Sequence, residues 1–192
     1  MSASAVSVCS SALVELGQRP INSFEEGSDA ARTAAILWDE TRLFVLRQHP
    51  WNCAVRREIL APTTDTPLFD YQFAFVLPPD FLRALQVGQH RSEVDYRIES
   101  DRILADENPL FLRYVWNNDN VSTYDEGLVA ALTAAMAARM AYAVTGSTSL
   151  RQLMEQRAAA VLLRATTIDG QDEPSQEWGN QHLLASRGRR MR

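Results

Sequence analysis

The residue types that could carry chemistry in this chain are three histidines, two cysteines and several adjacent carboxylates, and their spacing argues against a reaction centre. His49 stands beside Pro50 and Trp51 at the end of an expected helix, where an imidazole serves structure or the C-terminal dipole. His90 and His182 have no cysteine or carboxylate at ligand spacing, so no zinc site is expected. Cys9 and Cys53 lack CxxC spacing and read as free thiols in a reducing compartment, with neither bond nor metal. There is no GxSxG, Walker A or GxGxxG segment, and glycine is too sparse for a phosphate cradle. Ser10 and Ser11 have no triad context. The pairs Glu25–Glu26, Asp39–Glu40 and Asp106–Glu107 would serve acid–base or Mg²⁺ chemistry only if they converged. Neighbours on a helix diverge by about 100°, so these pairs read as solvated surface. The expectation is no catalytic residue, no metal and no cofactor.

Composition sets the frame for what remains. With 192 residues and 46% hydrophobic content, the chain is long and apolar enough for one domain with a proper core. The formal net charge is −5, but residues 1–186 hold 24 acids against 15 arginines, and Arg187, Arg189, Arg190 and Arg192 follow the last acid. An acidic body thus carries a basic tail. No lysine is present, which fits codon usage in a GC-rich genome, although arginine also suits bidentate interface contacts. Met1-Ser-Ala-Ser shows neither a positive n-region nor an apolar h-region, so a cytoplasmic site of synthesis and residence is expected.

The elements that would position these residues read as α+β, mainly helical. Periodicity and caps predict helices over about 4–16, 28–48, 124–145 and 149–168, a β-rich part over about 51–117, and a boundary at 168 between one domain and an extended tail, 169–192. Ser28 caps the second helix and His49-Pro50 ends it. Thr123-Tyr-Asp-Glu126 reads as a capping box, Gly146 as an αL stop and Ser149-Leu-Arg-Gln152 as a second box, together giving a helical bundle with a long C-terminal hairpin. Between them, Asn52–Leu60, Tyr71–Leu77, Arg83–Val87, Asp95–Glu99, Arg102–Leu104 and Leu110–Trp116 read as strands of a small antiparallel β-meander, with a turn or short helix from Pro78-Pro79-Asp80 through Leu82. Phe111-Leu-Arg113-Tyr-Val-Trp116 interleaves aromatics with a base, as a stacking platform for single strands would; an ordinary strand with an apolar core face accounts for it better.

Leu128 to Val144 is apolar all round, a pattern that normally means burial all round. One partner helix and a β-layer would cover two faces, leaving a third, carried by Leu128, Leu132, Met136, Met140 and Val144, for another copy in a homo-oligomer. An interior helix in a larger bundle fits equally. A membrane span does not, because the run falls short of about 20 residues and contains Arg139. In the tail, broken by Gly170, Pro174 and Gly179, apolar residues thin to Trp178, Leu183 and Leu184, and these read as anchors for a partner.

The order of motifs resembles the tail tubular protein A, or head-to-tail adaptor, family of tailed bacteriophages. The carriers are Ala12-Leu-Val-Glu-Leu-Gly17 with Ile21, Ser28-Asp-Ala-Ala31, Leu46-Arg-Gln-His-Pro-Trp-Asn52, Phe73-Ala-Phe-Val-Leu-Pro-Pro-Asp80 with Leu82-Arg83, Leu112-Arg-Tyr-Val115 and the hairpin from Tyr124 to Ile168. Residues 8–170 are covered. The blocks His49, Pro50, Trp51, Asn52 and Leu77, Pro78, Pro79, Asp80, in that order, are the specific part, and both read as structural corners. The resemblance implies a virion structural protein without cofactor. It would form a ring, typically of twelve copies, beneath the portal at the head–tail junction, with a tail tube or nozzle protein below and genomic duplex DNA passing through the lumen unbound. It also implies that the C-terminal extension clasps the portal, through Trp178, Leu183, Leu184 and the arginines 187, 189, 190 and 192. Two rivals are a small DNA-packaging ring subunit of the terminase type and a wall-degrading tail hydrolase.

Overall fold

Among the described residues, side-chain caps start each α-helix, where backbone donors would otherwise be orphaned. The computed structural model of the protein describes residues 3–89 and 94–172. Helix α1, Ala5–Glu15, opens on a reciprocal cap between Ser4 and Ser7. Helix α2, Asp29–Gln48, opens on Ser28, whose hydroxyl accepts the Ala31 N–H at 3.1 Å, and ends where His49 turns extended ahead of Pro50. Helix α3, Glu126–Thr145, stops at Gly146, whose φ of 67° is left-handed. Helix α4 runs Thr148–Asp172. About half of the chain is helical, and the fold is α+β.

Two expected caps are displaced. Thr123 does not cap α3, because its hydroxyl is already bonded to Asn120 O and to Asn118 Nδ2 in the preceding turn. Asp125 takes the position instead, accepting the Leu128 N–H at 2.7 Å. Ser147, not Ser149, receives the Leu150 N–H at the start of α4.

The strands are β1, Val55–Leu60; β2, Phe73–Val76; β3, Phe81–Val87; β4, Tyr96–Glu99; β5, Arg102–Ala105; and β6, Leu110–Trp116. They form two antiparallel sheets, ordered β1-β6-β3 and β2-β5-β4, rather than the single meander expected. Of the turn or short helix expected from Pro78-Pro79-Asp80, the turn forms, Phe81 N donating to Pro78 O at 3.0 Å, and it ends before Leu82 because β3 begins at Phe81. Strand β6 lies between β1 and β3, with Arg113 opposite Arg57 on one side and Gln86 on the other.

Two apolar clusters hold the elements. One joins α1, α2, α3 and α4 through residues such as Leu13, Leu46, Leu132 and Met136, and reaches the sheets at Val115. The other lies among the strands, with Phe75 and Ile103 of one sheet against Leu110, Leu112 and Tyr114 of the other. The alternation of β6 assigns Leu110, Leu112 and Tyr114 to the strand cluster and Val115 to the helical one.

Helix α3 is the centre of the helical layer, packed by α1, α2 and α4. Leu128, Leu132, Met136 and Met140 are wholly buried inside this one chain, and Val144 is half-buried. The intersubunit face expected on this stripe is therefore corrected: the chain's own helices occupy it. Among the described residues α3 is the one helix long and apolar enough to cross a membrane, and 56% of its most apolar stretch is buried in the fold.

The boundary at 168 is also corrected. Asp169, expected to begin an extended tail, is a buried residue of α4. Trp178, Leu183, Leu184, Arg187, Arg189, Arg190 and Arg192 lie outside the described residues, as do His90 and His182.

Candidate functional site

The two motif blocks converge on the joint between helices and sheets. Proline at 50 ends α2 and sends the chain through Trp51 into a 3-10 turn, Asn52–Ala54, that leads straight into β1. Trp51 is fully buried, its Nε1–H donates to Val45 O at 3.1 Å, and its ring meets His49 edge-on at 5.0 Å. His49 Nε2 lies 2.8 Å from Asp169 Oδ2, so the ring donates to a carboxylate that can only accept. Asn52 Nδ2 donates to the other oxygen, Oδ1, at 3.3 Å. Asp169, at 7% exposure, thereby ties the last turns of α4 to a corner 120 residues earlier.

A second knot sits where β6 hands over to α3. Arg42 of α2 is buried, and its Nη1 donates to Asn117 Oδ1 and Asn118 O, both at 2.7 Å. Asn118 Nδ2 donates to Cys53 O and Thr123 Oγ1, while the Tyr124 hydroxyl also donates to Asn118 O. Buried donors and acceptors here satisfy one another, as burial demands.

The Leu77-Pro78-Pro79-Asp80 block closes a third. Pro78 is buried, Leu77 packs on the strand cluster, and Asp80 pairs with Arg56. The Arg56 guanidinium lies 3.3 Å from the centre of the Trp116 ring, a cation–π contact. The Tyr114 hydroxyl donates to Asp80 Oδ1 at 3.0 Å and to Glu58 Oε2 at 3.3 Å. Burial and the two neighbouring carboxylates push the Tyr114 pKa up from its ordinary value of 10.0. The native state thus holds a proton that the unfolded chain releases above that pH, so this contribution is intact at neutrality and is lost as pH climbs past 10. Tyr114→Phe is expected to flatten the alkaline loss of stability and to cost about 1–2 kcal/mol at neutral pH, since two acceptors lose a donor. Urea unfolding at neutral pH and at about pH 11 checks both signs.

Both thiols are suppressed as nucleophiles. Burial raises Cys9 to about 12 and Cys53 to about 11, with the charges of Asp125 and Asp169 adding to the latter. Ser10 Oγ donates to Ile21 O, Glu26 accepts from Asn22 N and Ser28 Oγ, and Asp106 accepts from Gln72 N. These groups shape turns and caps. No group of three or more metal-ligating side chains occurs among the described residues.

An open groove of about 790 Å³ lies on the sheet of β1, β6 and β3, lined by Arg57, Ile59, Gln86, Phe111 and Arg113 among others. The aromatic segment of β6 does not act as one platform here. Strand alternation sends Phe111 and Arg113 to this groove, while Tyr114 and Trp116 turn to the opposite side with Arg56 and Phe81.

The corner residues His49, Pro50, Trp51 and Asn52 were legible in sequence as a block; their partner Asp169 was not, and neither were Arg42 and Asn118. No local signal marks Asp169, which follows two threonines and an isoleucine and precedes a glycine. No protein-family model matches the chain, and no curated protein matches it.

Proposed function

We propose that the chain is a ring-forming structural subunit of a tailed-phage head–tail junction, placed under the portal and joining it to the tail tube or nozzle. The observation that carries this reading is the order of the His-Pro-Trp-Asn and Leu-Pro-Pro-Asp blocks, each of which is a built corner with a buried or bonded polar partner. The finer architecture belongs to the same proposal: a helical bundle whose α3–α4 hairpin carries a portal-docking extension containing Trp178, Leu183, Leu184 and the arginines 187, 189, 190 and 192. Twelve copies, no cofactor and no enzymatic activity go with it. An acidic body suits a channel wall, because attraction to phosphate would slow passing DNA.

The packaging-subunit rival needs a basic helical face for duplex DNA. On α2 that face would draw on Arg32, Arg42 and Arg47, but Arg42 is buried at 5% exposure and Arg32 is paired with Asp29.

Electron microscopy of the full chain mixed with its cognate portal tests the proposal. A ring of added density under the portal is the expected result, and a chain ending at residue 172 is expected to fold normally and leave the portal bare. A bare portal with the folded full chain overturns the reading.

A further inference from the structure

The outer surfaces of α2 and α4 carry matching ridges that nothing among the described residues covers. On α2, Ile36, Glu40 and Phe44 follow at four-residue spacing and so form one ridge along the helix. Ile36 is 77% exposed and Phe44 59%, and the Glu40 carboxylate stands out between them. On α4, Ala160, Arg164 and Ile168 repeat the spacing, all three exposed, with Leu163 exposed beside Arg164. Each ridge reads apolar, charged, apolar, and the central charges are opposite.

Helices α2 and α4 both pack on α3 but not along each other, so one chain does not bring its two ridges together. Self-pairing of a ridge between two copies would set Glu40 against Glu40 or Arg164 against Arg164, and juxtaposed like charges oppose association. The Arg164 guanidinium has no ion-pair or hydrogen-bond partner within the described residues. Glu40 already meets Arg139, and Asp39 beside it adds a second, well-exposed carboxylate.

We propose that the α4 ridge of one copy packs on the α2 ridge of the next, with Arg164 against the Asp39–Glu40 pair. Two different surfaces then mate, a head-to-tail contact that repeats from copy to copy and closes as a ring when the rotation permits. Ridges of four-residue spacing interdigitate at a crossing angle of about −50°. This inference rests on the ring reading above and names the faces that meet.

The test uses full-length chains, one carrying Glu40→Cys and one Arg164→Cys, mixed at high concentration under oxidation. The native thiols interfere little, Cys9 being buried and Cys53 half-buried. A disulfide between the two variants, and a ladder of multimers from a chain carrying both substitutions, is the expected result; same-variant dimers alone, or no bond, overturns the proposal. An independent arm uses Arg164→Glu and Glu40→Arg. Each is expected to lose association in sedimentation, and their mixture to regain it; no regain overturns the proposal even if the cysteine variants fold poorly. A ladder without portal binding would sink the junction reading alone, and rings on the portal without the 40–164 bond would sink this contact alone.

Discussion

Trp51→Ala is expected to cost about 3–5 kcal/mol of stability, the range for deleting a large buried aromatic. The side chain is fully enclosed, contacts His49 edge-on and donates its Nε1–H to Val45 O. Its removal empties the joint where α2 becomes β1 and orphans a carbonyl in the last turns of α2. A loss of this size is a large part of the about 5–15 kcal/mol that holds a domain together. Trp51→Phe separates the causes: it keeps much of the volume and loses the hydrogen bond, so its cost should be about 1–3 kcal/mol. Urea unfolding of both variants is the measurement. A Trp51→Ala loss below about 1 kcal/mol would mean that the corner is not the joint described.

His49→Ala has the second largest expected effect, about 3 kcal/mol, because it leaves a buried carboxylate with Asn52 as its remaining hydrogen-bond partner among the described residues. The damage should appear at the end of α4, since Asp169 is what His49 holds. Trypsin cleavage at Arg164 should accelerate while the strand cluster keeps its resistance. Asp169→Ala placed on top of His49→Ala should restore part of the stability, because the buried group that has lost its donor is gone too. A double variant worse than either single one would contradict the pairing.

Helix limits were largely legible because they are decided within a few residues. Ser28, Pro50 and Gly146 each act on their own turn, through a cap, a steric clash or a left-handed φ. The Thr123 cap misled because its hydroxyl is consumed by Asn118, a competition that the motif alone does not contain. The all-round apolar character of α3 correctly signalled enclosure; it could not say whose helices enclose it, and Leu132 and Met136 are covered by the same chain. Asp169 was illegible for the same reason at longer range. A carboxylate among threonines looks like a fraying end until His49 and Asn52 arrive from far away in the chain. Strand positions could be read from alternation, but the split into two sheets depends on which strands pair, and that is a long-range choice.

The central place of β6 has a kinetic side. Its neighbours β1 and β3 bond to it and not to each other, and β6 is the last strand among the described residues. A nascent chain therefore carries β1 and β3 as open templates until residue 116 has been made. At about 5–20 residues per second on the ribosome, the wait after β1 lasts seconds. Unpaired strand edges invite foreign pairing, so the hazard of this fold is concentrated in the newborn polypeptide, before its middle strand arrives to seal both neighbours at once.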